Sequence, residues 1–274
     1  MFSTPINNRN KIPLPSFSPL FCPKDEITYA SNVSQSCTVD STPSCVNAET
    51  PQLSSLTNIH SNTSTFGNDK GAEILQQIKC KHVKNITIGY LNINSIRNKI
   101  DDLRVIINGN VDILIIAETK LDESFPTAQF LMEGYNKPLR QDVSSTSGGL
   151  LVYVKKGIAA RPCKTRTSND KVQIISITLH LKNSKWLLIS LYRPEHMDAA
   201  ELLESIGDII SCAGPHSNVI IIGDFNIKEN DPKLMQLKQD YDLYNLIKDP
   251  TCFKSKGNPS VIDHIFTNKK FFIY

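Results

Sequence analysis

Two short stretches limit what this chain can fold into. Ile113 to Ile116, inside a strand expected over Val111 to Ala117, and Val219 to Ile222 are runs of consecutive aliphatic residues. A run of strand length that is apolar at successive positions has both faces covered, so these are interior strands. Both are far below the roughly 18–20 apolar residues of a spanning helix, and no membrane-spanning segment is expected. Between and around them the periods alternate. Ile86 to Leu91 reads as a strand. Ser95 is placed as the N-cap of a helix with Ile96, Ile100, Leu103, Ile106 and Ile107 on its buried side, stopped by Asn108-Gly109-Asn110. Gly148-Gly149 opens a strand through Val154. Lys171 to Leu181 and Lys185 to Leu191 read as a hairpin joined by Asn183-Ser184. Residues 198–213 are helical, Pro232 suits the first turn of another helix, and Val261 to Phe266 closes as a last strand. Such alternation is the mark of an α/β fold with some antiparallel pairing.

The first 70 residues read differently. Ser, Thr, Asn and Pro make up 35 of them, and they hold seven of the fifteen prolines. Their apolar residues follow neither period, so they cannot bury enough surface to offset the entropy of ordering, and residues 1–70 are expected to be disordered. Pro13, Pro15 and Pro19 interrupt the only stretch that resembles a leader, so no signal peptide is expected. A short helix and linker are expected over 71–84, and one domain over 85–274. Seven cysteines, without a CxxC pair or regular spacing, argue against a disulfide scaffold; Cys22, Cys37 and Cys45 fit no standard zinc finger.

Three strands end in polar groups that a pure core would not place there: Leu91-Asn92-Ile93-Asn94, Ala117-Glu118-Thr119 and Gly223-Asp224-Phe225-Asn226. Acids and amides at the carboxyl ends of buried strands are how α/β sheets gather ligands at one rim. Taken alone, an Asp-x-Asn after a strand is also ordinary turn chemistry. Asp263, flanked by Ile262 and an apolar run, needs a partner if it is buried.

Together these residues resemble a known family. Glu118 in "AETKL", Tyr192 in "SLYRP", Asp224 and Asn226 in "IIGDFNIK" and Asp263 in "SVIDHIFTN" are similar to the successive motifs of the endonuclease/exonuclease/phosphatase superfamily. With "LNINSIRNKIDDL" and "GGLLVYVKKG", the likeness is to the apurinic-endonuclease-like domain of non-LTR (LINE, jockey-like) retrotransposons, over about residues 85–274.

The resemblance implies a four-layer α/β sandwich, two packed mixed sheets flanked by helices, and metal-assisted phosphodiester hydrolysis that nicks DNA. It implies Mg²⁺ or Mn²⁺ held by Glu118 and Asn92, no small-molecule cofactor, and DNA as the partner. Hard cations of this kind take oxygen ligands, keep several waters and need only one or two carboxylates. Asp224 matches the acid that positions or deprotonates the attacking water, and Asn226 the amide that orients it. If the segment stays extended, the two face the same side. Tyr192 matches the tyrosine that contacts the scissile phosphate, and Asp263 the late acid near the metal. Arg193 is a candidate phosphate contact by its position alone. His264 is not matched to the catalytic histidine, because adjacent strand residues face opposite ways.

There are departures. Asn94 stands where relatives often carry Arg, and Asp142 is followed by Val143 rather than Arg. The last family motif, Ser-Asp-His, is expected some tens of residues after Asp263, beyond Tyr274, so weak or no nicking is expected of the chain. A catalytically dead nucleic-acid-binding remnant and a phosphatase acting on small phosphoesters are the other readings. Residues 85–274 hold 23 Lys+Arg and 21 Asp+Glu, so DNA binding has to come from local placement rather than bulk charge. A nuclear or cytoplasmic location follows from the expected substrate and the lack of a leader.

Overall fold

The computed structural model describes residues 18–23, 28–29, 66–163, 173–181, 184–214, 217–252 and 260–269. In chain order the elements are β1 (Ser18–Pro23), β2 (Thr28–Tyr29), α1 (Phe66–Lys81), β3 (Asn85–Asn92), α2 (Ile100–Ile107), β4 (Ile113–Ala117), β5 (Leu139–Gln141), β6 (Leu150–Val154) and β7 (Ala160–Pro162). They continue with β8 (Gln173–Leu181), β9 (Ser184–Tyr192), α3 (Ala199–Ala213), β10 (Asn218–Asp224), α4 (Pro232–Asp240), β11 (Tyr244–Asn245) and β12 (Asp263–Thr267). They build two six-stranded mixed sheets, ordered β2-β1-β3-β4-β6-β5 and β11-β12-β10-β9-β8-β7.

Each sheet has one parallel pair at its centre. β3 runs parallel to β4, with α2 as the crossover, and β9 runs parallel to β10, with α3 as the crossover. Every other pairing is antiparallel. Alternate residues of each strand then serve two different cores. Ile88 and Tyr90 of β3, with Ile113 and Ile115 of β4, meet Leu188, Tyr192, Ile220, Ile222 and Ile265 of the other sheet. Their neighbours Leu91, Leu114, Ile116, Leu151 and Tyr153 turn outward beneath Leu75 of α1 and Leu103 and Ile107 of α2. On the far side Leu187, Ile189, Leu191, Val219 and Ile221 pack under Leu202, Ile206 and Ile210 of α3 and Leu234 of α4. The result is a four-layer helix–sheet–sheet–helix sandwich, and it explains why β4 and the middle of β10 are apolar at successive positions.

Three local expectations are corrected. Ser95 is not a helix cap: it sits at φ 81°, the helix starts at Ile100, and Lys99 takes the cap position without a side-chain bond. The Ser95 and Ile96 N–H groups instead donate to the carbonyls of Glu118 and Thr119, tying this loop to the end of β4. Ser184 belongs to a strand, opposite Leu181. The first helix begins earlier than expected, at Phe66. Asn108 does end α2, in the left-handed conformation, and Asp198 and Pro232 start α3 and α4. Apart from β1, β2 and the start of α1, the segment expected to be disordered lies outside the described residues, as does the 182–183 connection. β1 pairs antiparallel with β3 along the edge that would otherwise be open. No helix among the described residues is long and apolar enough to cross a membrane.

Gly223 shows how closely β10 fits beside β9. A Cβ added there would lie 2.0 Å from the Leu191 carbonyl oxygen. Gly223→Ala should therefore lower stability by about 3 kcal/mol, the upper range for overpacking, read as the urea midpoint against the unchanged chain.

Candidate active site

Strand direction decides where the polar strand ends meet. A parallel pair ends at the same edge, so Asn92, at the end of β3, stands beside Glu118, just past β4. Tyr192 and Asp224, the last residues of β9 and β10, are register partners in the other sheet. β12 runs the opposite way, so its first residue, Asp263, lies opposite Asp224. Five of the residues singled out in the sequence thus share one rim, contributed by both sheets.

Side-chain contacts join the sheets there. Asn92 Nδ2 donates to Glu118 Oε1 at 2.8 Å and to Asp224 Oδ2 at 3.2 Å. The Tyr192 phenol stands beside Glu118 and Asp224 and feels the charge of both. Burial, then the charges of Glu118 and Asp224, raise the Tyr192 pKa, which keeps its proton on. Beside the cluster, Gln173 Oε1 accepts from the Gly149 N–H at 2.7 Å, a further bond between the sheets. Gly149 has φ 95°, and a Cβ there would sit 2.2 Å from Thr119 Oγ1.

Asp224 is buried, and desolvation followed by the Asp263 charge pushes its pKa up to about 8; Glu118 adds to this, while bonds from the Asn226 N–H and Asn92 oppose it. Crowded carboxylates cannot all ionise cheaply in a desolvated site. Hard-cation chemistry fits this set of donors: carboxylate and amide oxygens whose mutual repulsion a divalent ion would relieve. Among the described residues no group of three or more His, Cys, Asp or Glu forms a ready-made cage. A magnesium-type ion does not need one, because it retains much of its water.

The backbone is also strained at this rim. Among the described residues seven non-glycine residues have positive φ, and Asn94, Ser95, Glu118, Lys120 and Asn226 all lie just past β3, β4 or β10. Such conformations cost about 1–3 kcal/mol each and persist where the surroundings over-determine them.

Two roles read from the sequence change. Asn226 has φ 48°, so the segment is not extended there. Its backbone N–H donates to Asp224 Oδ1 at 3.1 Å, while its side-chain amide donates to the Arg193 carbonyl at 2.7 Å. The orienting bond to Asp224 is therefore a backbone bond. Arg193 is buried, and its guanidinium donates to the carbonyls of Phe225 (2.7 Å), Asn226 (2.6 Å), Glu195 (3.4 Å) and Met197. It braces the loop after β10 rather than reaching out towards an anion. His264 faces away from the acids: Nε2 donates to the Ile227 carbonyl at 2.8 Å, Asn245 Nδ2 lies 3.2 Å from Nδ1, and the ring stacks on Phe266. The sequence motifs pass over Tyr90. It lies two residues before Asn92, so it faces the same side, and that i, i+2 relation is the available signal.

A mixed-sheet α/β sandwich whose rim collects acids and amides from both sheets is the class that the fold and site define. The model of the endonuclease/exonuclease/phosphatase family matches residues 89–273, and the chain belongs to that family, whose members are hydrolases acting on phosphodiester bonds and generally depend on a divalent metal. Among solved structures the chain is similar to the catalytic domain of Xenopus laevis APE2, with 20% identity over 66% of this chain and 82% of that one and a TM-score of 0.51. It is also similar to the 3'-5' exonuclease NExo of Neisseria meningitidis, with 19% identity, coverage of 66% and 86%, and a TM-score of 0.50. The endonuclease domain of TRAS1, a telomere-specific non-LTR retrotransposon, matches with 18% identity, coverage of 58% and 74%, and a TM-score of 0.45. No curated protein matches significantly.

Two outcomes are expected. The folded-state pKa of Asp224, about 8, lies above its ordinary 3.8, so the native chain holds a proton that the unfolded chain releases. Without divalent cations, stability should therefore fall as pH rises from about 4 to about 8. Urea midpoints in EDTA check this, and Asp224→Asn should flatten the profile. Arg193→Ala should lower stability by about 2–3 kcal/mol in the same assay, since it leaves buried carbonyls without a charged donor.

Proposed function

We propose that this chain is a metal-dependent phosphodiester hydrolase that nicks DNA, of the kind encoded by non-LTR retrotransposons. The observation that carries the reading is the convergence of Asn92, Glu118, Tyr192, Asp224 and Asp263 from both sheets onto one rim, with Asp224 destabilised as an anion until a cation arrives. The order and spacing of the motifs around these residues support the retroelement origin.

In this reading Glu118 and Asn92 would hold Mg²⁺ or Mn²⁺, and the ion would supply neutralisation of phosphate charge and activation of water. Asp224, held by the Asn226 N–H and by Asn92, accepts the proton of the attacking water. Tyr192 keeps its proton at neutral pH and donates it in a hydrogen bond to a phosphoryl oxygen as charge develops there. Asp263 adds negative charge beside Asp224 and strengthens its hold on a proton. The alternative substrates, small phosphoesters, would meet the same groups.

The test is supercoiled plasmid with Mg²⁺, run beside EDTA and beside inositol phosphates. Nicking should require the cation and drop by roughly 10²-fold or more in Glu118→Gln. Phosphate release from inositol phosphates without any nicking would overturn DNA as the substrate.

A further inference from the structure

Tyr90 occupies a place that packing alone does not explain. Its ring fills the layer between the sheets beside Ile88, Ile115 and Ile222, where a phenylalanine would fit equally well. Its hydroxyl lies in that same layer, fully shielded from water, and makes no hydrogen bond of ordinary geometry. Hydroxyls placed so cost stability unless something nearby uses them.

The surroundings indicate what uses it. Asn92, two residues on along β3 and on the same face, donates to Glu118 and Asp224. Tyr90 therefore sits one rung beneath the acids, as the floor of the cluster. Asp263 opens β12 two residues before Ile265, which packs in the same layer as Tyr90, so its carboxylate faces that layer from the other sheet, and its charge bears on the hydroxyl ahead of those of Asp224 and Glu118. A phenol keeps its proton at neutral pH, so towards a carboxylate this group can only donate.

We propose that Tyr90 is a positioning residue: its hydroxyl donates to the Asp263 carboxylate from below and fixes that carboxylate against Asp224 at the rim. The catalytic part of this proposal rests on the hydrolase reading above; the contact itself does not. Asp263 begins its strand at the mouth of the site, and a donor rooted in the opposite sheet limits its swing.

A double-mutant cycle tests the contact without any turnover. Tyr90→Phe keeps the ring and removes the hydroxyl, and Asp263→Ala removes the acceptor. In urea unfolding at pH 7 without divalent cations, the effect of Tyr90→Phe on the unfolding constant should differ at least fivefold between the chain that keeps Asp263 and the Asp263→Ala variant. Additive effects would overturn the proposal. In plasmid nicking, Tyr90→Phe should lower kcat at least tenfold with KM unchanged. A coupled cycle with unchanged kcat would also overturn it, leaving a structural contact only. If the unmodified chain does not nick at all, the hydrolase reading fails by itself, and the cycle still decides whether Tyr90 holds Asp263.

Discussion

The direction in which four strands run is the constraint on which the rest depends. β3 with β4 and β9 with β10 are parallel pairs, and each is joined through a helix that covers the outer face of its sheet. A parallel pair delivers both of its carboxyl ends to one edge. Facing two such pairs across an apolar layer brings four strand ends together without any long loop. β12, running the other way, adds its first residue to the same place. The acids and amides do not find one another through loop folding; strand polarity delivers them.

This delivery sets burial against charge. The apolar layer that stabilises the sandwich reaches almost to the rim, so the carboxylates sit where water solvates them poorly. Asn92 and the Asn226 N–H offset part of that cost, and the raised pKa of Asp224 shows that part remains. The left-handed backbone at Asn94, Glu118 and Asn226 is concentrated at the same edge. A native state that tolerates both charge crowding and backbone strain at one spot has its stabilising interactions elsewhere, in three cores of interlocked aliphatic residues.

Much of this is legible in the sequence because the periods are simple. Unbroken aliphatic runs mark strands covered on both sides, and the polar residues that end them mark the rim. Asn92, Glu118, Tyr192, Asp224 and Asp263 can be named because each stands at the end of such a run or carries a family motif. Conformation at single residues is not legible in the same way. Ser95 has the chemistry of a helix cap, yet tertiary hydrogen bonds to the end of β4 hold it in another conformation. Asn226 reads as a side-chain partner of Asp224, but a positive φ turns its backbone N–H towards that acid instead. Arg193 looks like a phosphate contact until three dimensions show four carbonyls around it. Tyr90 stays hidden because an aromatic residue in an apolar strand raises no question until its hydroxyl is seen to lie beneath three acids.

The contacts at the rim cross from one sheet to the other, and this gives the apolar layer a second office. Asn92 belongs to one sheet and Asp224 to the other; the same is true of Glu118 and Tyr192, and of Gly149 and Gln173. The gap these pairs must span is the thickness of the side chains stacked below them, Ile88, Ile115, Leu188 and Ile222. Those residues act as a ruler. Shortening one by a methyl group would change not only how tightly the sandwich holds but how far apart the acids stand. A variant selected for altered metal preference could then carry its change deep in the hydrocarbon, with every polar residue at the mouth left as it was.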